Sequence, residues 1–435
     1  MRILRTWECN IDREIVKLKQ QLSLLDGLST NHRKTVLKII EDVRKLGDKA
    51  IARYSKYFDK VSLSPDKFRV KDREIEDAYK RIPLHFVKSI QRAICNIRAY
   101  QEHIKIRTVS PLKTHGVVLD TLYTPLESAG VYVPGGSASY PSTVLMNTVP
   151  AKAAGVDKII MTTPPAKDGS IPPERLVAAR EAGVDEIYKI GGAQAIAALA
   201  FGTKTIPKVD KIVGPGNIFV TLAKKEIFGY AGIDMLAGPS EVLIIADDRA
   251  NPSFVASDLL SQAEHSPGIS ILVTFSESLV EQVKTELKQQ ISKLKRREDT
   301  QKCLDKFGVI ILTKNIGECV EIANTLAPEH LQIMTQNPRT ILSGIKHAGA
   351  IFLGAYTPVA LGDYIAGPSH VLPTSGTARF SSGLSVNDFL KRSSVITYSR
   401  SALKEACKDV VEISEAEGLD AHTRSVQIRL KGAQS

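Results

Sequence analysis

One motif recurs as VDKII at residues 156–160, VDEIY at 184–188 and VDKIV at 209–213, and this repeat decides the fold. A turn rich in Gly or Pro follows each copy, and helical patterns at 173–182 and 193–201 separate the copies. Short apolar strands that alternate with helices predict βα units in a parallel sheet. Because ligands bind beyond the carboxyl ends of such strands, the turns after the three copies are candidate binding loops.

A second region farther along the chain shows the same alternation. A strand pattern at 241–247 leads to a helix for which Asn251 is the expected N-cap, and apolar runs at 269–275 and 308–313 bracket a charged helix. No G-x-G-x-x-G motif occurs anywhere in the chain. The expected fold class is therefore α/β, with two Rossmann-like parallel-sheet domains that lack this fingerprint and small helical N- and C-terminal segments.

The composition excludes several classes of protein. The chain has 435 residues, 43% of them hydrophobic and 24% charged, which excludes a disordered chain and a disulfide-stapled mini-protein. No apolar run approaches the ~18 residues of a membrane-spanning helix, and the N-terminus lacks the apolar segment of a secretory signal. The five cysteines are scattered without a CxxC pair, so we expect reduced thiols in a cytoplasmic protein.

The formal net charge of +11 raises the alternative of a basic, non-enzymatic protein that binds nucleic acid. The longest basic cluster, at 293–297, is followed at once by Glu298 and Asp299, so a solvated face explains the charge better. We therefore expect neither a nucleic-acid partner nor a membrane.

Chemistry-bearing side chains occur in two short motifs. In LLSQAEHSPG, Gln262 and His265 are three residues apart on a predicted helix, where an amide oxygen and an imidazole could bind one metal ion. A histidine stabilised by the helix dipole is the alternative. In LAPEHL, Glu329 and His330 could divide two proton-transfer roles, although an exposed helix start would also accept this sequence.

Two further motifs hold isolated acid–histidine combinations. Residues 354–378 are predicted to form a loop whose only charged residue is Asp363, with His370 seven positions later, and this pattern favours contact with a ligand or metal. Glu417 and His422 flank a glycine in the C-terminal helical pattern, either as surface residues or as site residues delivered from a peripheral domain. If they converged, Gln262, His265, Asp363 and His422 would suit Zn²⁺ better than Mn²⁺.

Together these motifs resemble the histidinol dehydrogenase family. The resembling segments run in order from about residue 130 to 425: VYVPGG, GGAQAIAAL, GPGNIFV, AGPSEVL, LLSQAEH, LAPEHLQI, GDYIAGPSHVLPT and EGLDAH. The resemblance implies a catalytic pair, Glu329 and His330. It implies the zinc ligands Gln262, His265, Asp363 and His422. It implies substrate contacts from Ser240, Gln262, His265, His330, Asp363, His370, Glu417 and His422. It implies NAD contacts from Tyr132, Gln194 and Asn217.

The implied activity is an NAD-dependent, zinc-containing, four-electron oxidation of L-histidinol to L-histidine through L-histidinaldehyde. The family resemblance also implies one zinc per subunit and a homodimer in which Glu417 and His422 complete the partner's site. Expected domains are an N-terminal helical segment (1–28), a first α/β domain with the metal and catalytic residues (29–130 plus 238–380), a second α/β domain on the NAD side (131–237) and a C-terminal helical segment (381–435). A different zinc-held alcohol remains an alternative substrate.

Overall fold

The computed structural model describes residues 1–8, 10–22, 30–136, 139–265 and 267–431. Cys9, residues 23–28 of the predicted N-terminal segment and residues 432–435 lie outside the described residues. The chain forms two compact units, Met1–Ile104 with Leu126–Phe389, and Lys105–Pro125 with Leu390–Ser435. Across the described ranges, no helix has both the length and the apolar character that crossing a membrane requires.

The strands are β1 (Arg2–Arg5), β2 (Leu112–Thr114), β3 (Val117–Pro125), β4 (Ser128–Tyr132), β5 (Lys158–Thr162), β6 (Glu186–Tyr188), β7 (Lys211–Val213), β8 (Gly232–Ile233), β9 (Ser240–Ala246), β10 (Gly268–Thr274), β11 (Val309–Leu312), β12 (His330–Met334), β13 (Ala350–Leu353) and β14 (Leu390–Tyr398).

The α-helices are α1 (Ile11–Leu22), α2 (Thr30–Leu46), α3 (Asp48–Tyr54), α4 (Asp72–Arg81), α5 (Leu84–Ile104), α6 (Pro141–Ala154), α7 (Pro173–Ala182), α8 (Gly192–Phe201), α9 (Ile218–Ile227), α10 (Pro252–Ala263), α11 (Glu277–Ile291), α12 (Arg297–Phe307), α13 (Ile316–Leu326), α14 (Pro338–Leu342), α15 (Val359–Tyr364), α16 (Arg400–Ala416) and α17 (Asp420–Lys431). Single helical turns lie at Ser55–Asp59 (a π-turn), Pro65–Lys67, Thr377–Arg379 and Val386–Phe389.

The first unit contains the two parallel sheets that the sequence predicts. One sheet has the strand order β1-β11-β10-β9-β12-β13, and the other has the order β6-β5-β4-β7-β8. All pairings within both sheets are parallel. In the second sheet, β4 lies between β5 and β7, so the strand order reverses there, which is where ligands bind in open α/β sheets. The predicted fold class is confirmed.

The strands of the repeat begin two residues later than the motif. The aspartates of the second and third copies each bind the backbone of a neighbouring strand. Asp185 accepts the backbone N–H of Ile159 in β5 at 2.7 Å, and Asp210 accepts that of Ser128 in β4 at 2.9 Å. These carboxylates therefore satisfy backbone N–H groups at the amino ends of β4 and β5.

The central strand β9 is buried on both faces, which explains its unbroken apolar sequence. Val242 and Ile244 enter one core with helices α10 to α12, whereas Leu243 and Ile245 enter the opposite core with α1 and α13. The predicted N-cap is confirmed, because the Asn251 side chain accepts the backbone N–H of Ser253 at the start of α10.

The N- and C-terminal regions differ from the helical prediction in two places. β1 adds a parallel edge strand next to β11, and its four residues are too few to show a period in sequence. In the second unit, β14 pairs antiparallel with β3 along its whole length, and β2 completes that sheet before α16 and α17 follow. The partners of β14 lie more than two hundred residues earlier in the chain, so local sequence pattern does not reveal the pairing.

Candidate active site

The catalytic pair predicted from LAPEHL lies at the amino end of the larger sheet. His330 is the first residue of β12, which pairs with β9, and Ser240 is the first residue of β9. The carboxylate atom Oε2 of Glu329 accepts the hydroxyl of Ser240 at 2.6 Å and the backbone N–H of Glu241 at 2.9 Å. Both side chains of the pair are buried. The sheet therefore fixes the pair between two neighbouring strands.

The geometry of His330 assigns its tautomer. Its Nδ1 lies 3.1 Å from the backbone carbonyl oxygen of Glu241, and because a carbonyl only accepts, Nδ1 carries the proton. Its Nε2 is buried, has no hydrogen-bond partner and lies 3.8 Å from Oδ1 of Asp363. Burial lowers the pKa of His330. At neutral pH this imidazole is therefore uncharged and offers a lone pair at Nε2.

The carboxyl groups near His330 ionise less readily than free carboxyls. Burial raises the pKa of Glu329 to about 7 and that of Asp363 to about 6. The Oε2 atom of Glu329 also lies 3.5 Å from Nδ1 of His330. A carboxyl group with a pKa near 7 suits both release and uptake of a proton at physiological pH.

A cavity of about 570 Å³ opens beside this pair. Its lining includes His330, Asp363 and His370. Nδ1 of His370 lies 3.0 Å from the backbone oxygen of Asp363, and burial lowers the pKa of His370 to about 4. The predicted loop at 354–378 is wrong in part, because Asp363 belongs to the short helix α15. That helix and the turn after it bring both predicted residues to the cavity.

The predicted metal ligands Gln262 and His265 lie at the end of α10, but not both on the helix. The helix ends at Ala263, and the backbone N–H of His265 donates to the Gln262 carbonyl at 3.2 Å in the following turn. The prediction that both residues lie on one helix is therefore wrong. The turn ends at Gly268, where an added Cβ would lie 1.9 Å from the Gln262 carbonyl oxygen. The Gln262 side chain is buried, and its Nε2 has no hydrogen-bond partner.

The remaining predicted ligand belongs to the second unit. His422 lies in α17 and Glu417 is the C-cap of α16, and both side chains are exposed. Within the described residues, no three His, Cys, Asp or Glu side chains form a group that could hold a metal ion. Of the four predicted zinc ligands, Gln262 is not one of these residue types and His422 belongs to the second unit. His265 and Asp363 are therefore the two that the first unit contributes to such a group.

The smaller sheet carries a second cavity, of about 490 Å³, at the carboxyl ends of its strands. Tyr132 ends β4, Gln194 lies in the first turn of α8, and Asn217 caps α9 by accepting the N–H groups of Phe219 and Val220. The Tyr132 hydroxyl accepts the Gly192 N–H at 3.1 Å. Both amide atoms of the Gln194 side chain are buried without a partner. All three residues that the family resemblance implies line this one cavity.

Three residues near these cavities were not singled out from the sequence. Glu241 is buried and accepts the backbone N–H groups of Glu329 at 3.2 Å and Ser375 at 3.1 Å, and burial, then the charge of Glu329, raises its pKa. A charged residue inside an otherwise apolar strand is the sequence signal that could have found it. Asp59 and Arg175 line the second cavity, and no local pattern marks them.

These features define a class of protein: an α/β enzyme with a buried acid–imidazole pair beside one cavity and a ligand cavity at the switch point of a second parallel sheet. The family model of histidinol dehydrogenase matches residues 27–430, and the chain belongs to this family. It is therefore an oxidoreductase.

Similar proteins support this assignment over nearly the whole chain. A histidinol dehydrogenase of Clostridium acetobutylicum is 54% identical over 399 residues, which cover 92% of each chain. One of Bacillus subtilis is 50% identical over 414 residues, covering 94% of this chain and 96% of that one. The crystal structure of histidinol dehydrogenase from Elizabethkingia anophelis is 37% identical, with a TM-score of 0.93 over 100% of this chain and 99% of the other.

Proposed function

We propose that this chain oxidises L-histidinol to L-histidine through L-histidinaldehyde, in two NAD⁺-dependent steps and with one zinc ion per subunit. Membership in the family and the names of its relatives support the substrate. One observation carries the chemistry: the buried His330 presents an unpartnered Nε2 beside Asp363 in a cavity. We further propose that the enzyme acts in the cytoplasm, in histidine biosynthesis.

The first-unit residues fit zinc in donor type. Gln262 has an amide with an unpartnered buried atom, Asp363 is a partly buried carboxyl, and His265 adds an imidazole. We propose that His422 of a second copy supplies the fourth ligand. When bound, zinc would hold the amine and imidazole of histidinol and so orient its alcohol carbon. Ser240, His370 and Glu417 are proposed substrate contacts.

The second cavity fits a dinucleotide. Gln194 has buried donor and acceptor atoms without partners. Tyr132 borders the same space, and Asn217 caps the start of α9, where the helix dipole favours anions. When bound, NAD⁺ would accept the hydride in each oxidation. We therefore propose these three residues as cofactor contacts.

His330 is the proposed base of the first oxidation. Its neutral imidazole takes the hydroxyl proton of the substrate at Nε2 as hydride leaves the alcohol carbon. The Glu241 carbonyl holds Nδ1–H in place and favours the imidazolium that forms. The aldehyde produced stays in the cavity.

Glu329 is the proposed base for the hydration step. Ser240 and Glu241 both donate to Oε2, which leaves Oε1 to take a proton from the water that attacks the aldehyde carbon. Protonated His330 gives its proton to the aldehyde oxygen as the water adds, and it then removes a hydroxyl proton of the hydrate as the second hydride leaves. The carboxyl group of histidine that results loses its proton to solvent. A pKa near 7 allows Glu329 to accept the proton and return it to solvent.

A homodimer with a shared site is proposed because Glu417 and His422 lie in the separate C-terminal unit. Their side chains are exposed, and the family resemblance implies that both contact the substrate. A second copy of the chain is the proposed partner of that unit.

The test is a metal analysis of the purified protein together with NADH formation from a panel of amino alcohols. We expect zinc, and NADH from histidinol in preference to other amino alcohols. Asp363→Asn should lose zinc and activity, whereas Asp248→Asn, an exposed carboxyl in the turn after β9, should keep both. Indifference to histidinol, with activity toward another alcohol, would overturn the substrate assignment.

A further inference from the structure

Asp59 occupies an unusual position at the second cavity. It ends the π-turn Ser55–Asp59 that follows α3, and it lines the cavity together with Tyr132 and Gln194. The next residue, Lys60, adopts the left-handed conformation at φ 59°, so the chain turns sharply away after the carboxylate. Isolated π-turns are frequently found at functional sites.

One oxygen of the Asp59 carboxylate has no partner within the part of the chain that the structure describes. Its Oδ2 is buried and has no hydrogen-bond partner. Burial raises its pKa to about 6. At pH 7.5 the group is still mostly ionised. A buried acceptor that the fold leaves unpaired is uncommon, and it suits a ligand that brings hydrogen-bond donors.

The place of this cavity in the fold indicates which part of a dinucleotide it takes. It lies at the carboxyl ends of the smaller sheet, and among the described residues it shares no lining residue with the cavity of His330. Because the nicotinamide ring must reach the carbon oxidised beside His330, the cavity that contains Asp59 takes the adenosine half.

We propose that Asp59 accepts hydrogen bonds from the adenosine ribose hydroxyls of the dinucleotide and thereby selects NAD⁺ over NADP⁺. This inference rests on the proposed function. A carboxylate only accepts, so it pairs with the 2′- and 3′-hydroxyls of NAD⁺ and repels the 2′-phosphate of NADP⁺. Rossmann folds with the G-x-G-x-x-G motif use an Asp or Glu that follows this motif in the chain for the same contact. Here the acid comes instead from the helical N-terminal region.

A cationic side chain, Arg175, also lines this cavity. Arg175 is buried, and its guanidinium donates to the Ser139 carbonyl at 2.7 Å and to the Thr163 hydroxyl at 2.5 Å. Burial lowers the pKa of Arg175 to about 10, so the guanidinium remains charged at neutral pH. The cavity thus combines a cation held by the protein with a carboxylate left for the ligand.

Calorimetric titration with ADP-ribose and with 2′-phospho-ADP-ribose tests the inference without reference to turnover. The proteins are the wild type, Asp59→Asn and the control Asp66→Asn, which changes an exposed carboxyl in the nearby turn Pro65–Lys67. We expect the wild type to bind ADP-ribose at least about tenfold more tightly than its 2′-phosphate, equivalent to about 1.4 kcal/mol. Asp59→Asn should reduce that ratio about tenfold, and the control should retain it.

A wild-type ratio near one, or an unchanged ratio in Asp59→Asn, would overturn the inference. Asp59→Glu provides a second variant that keeps the charge, and it should weaken ADP-ribose binding while still rejecting the 2′-phosphate. The outcomes separate the two proposals. If the wild type oxidises histidinol but the ratio is insensitive to Asp59, only the Asp59 inference fails. If the ratio responds to Asp59 but histidinol yields no NADH, the proposed function fails instead.

Discussion

At the scale of the residue, two buried glutamates have different surroundings and therefore different expected roles. Glu241 accepts backbone N–H groups from two segments and fixes the chain around the site. Glu329 receives its donors on one oxygen, and its Oε2 lies 3.5 Å from the His330 ring. Glu329 can therefore act on water directly, as proposed, or only orient the imidazole.

Substitution separates these roles. We expect His330→Asn to lower the rate of both half-reactions by about 10² or more, because each needs the same base. Glu329→Gln should lower oxidation of histidinaldehyde by a similar factor and change oxidation of histidinol little. Single-turnover kinetics with each substrate measures the difference. Equal losses in both half-reactions of Glu329→Gln would show that it acts only by orienting His330.

The pKa of Asp59 predicts how stability changes with pH. Because the folded-state pKa, about 6, exceeds the ordinary value of 3.8, stability from this group is fully present below pH 4 and is lost as pH rises through 6. Without nucleotide, Asp59→Asn should therefore be more stable than the wild type at pH 7.5. The shift corresponds to about 3 kcal/mol, and solvent screening of this partly exposed group reduces the expected gain to about 2 kcal/mol. The two proteins should unfold alike at pH 4. Denaturant unfolding at both values checks this, and equal stability at pH 7.5 would contradict it.

The sequence predicted several residues that line the two cavities, through the family resemblance more than through local spacing. Local spacing alone left Gln262, His265, Asp363 and His422 as unconnected candidates. Asp59 was missed because its importance lies in an unpaired atom, which only a folded chain reveals. Glu241 was missed although its charge stands in an otherwise apolar strand.

At the scale of the element, helix ends and strand starts position the site. The carboxyl end of α10 presents Gln262 and His265, and Gly268 allows β10 to begin directly behind them. The proposed catalytic pair, Glu329 and His330, lies at the amino end of β12, whereas the second cavity lies at the carboxyl ends of the strands of the smaller sheet. The rule for open α/β sheets thus predicted the location of the second cavity but not that of the catalytic pair.

Gly268→Ala tests the role of this turn. The new Cβ would lie 1.9 Å from the Gln262 carbonyl oxygen, so the end of α10 must shift. We expect a loss of about 3 kcal/mol in stability and of most bound zinc. Gly232→Ala is the matched control, because its Cβ meets ordinary contacts from 3.4 Å onward. Thermal unfolding and metal analysis measure both effects, and normal zinc content in Gly268→Ala would refute the positioning role.

Strand pairing explains which elements the sequence could not predict. The βα units of the repeat are local, so periodicity and turns located their strands within about two residues. β1 and β14 form because distant strands are available to pair with them, and neither carries a strong pattern of its own. Pairing of this kind is a tertiary effect that outweighs local propensity.

At the scale of the whole molecule, the proposed site requires two chains. If His422 acts in the partner's site, a mixture of His330→Asn and His422→Ala subunits contains dimers with one intact site. Each variant alone should be nearly inactive, and random reassociation should restore about a quarter of wild-type activity. Activity after mixing measures this. No recovery, with exchange of subunits demonstrated by mass, would place His422 in the site of its own chain.

The central claim is a four-electron oxidation carried out at one site. The most direct measurement is the ratio of NADH formed to histidinol consumed, with the product identified by chromatography. We expect two NADH for each histidinol consumed, with histidine as the product. A ratio of one with released aldehyde, or no NADH at all, would contradict it.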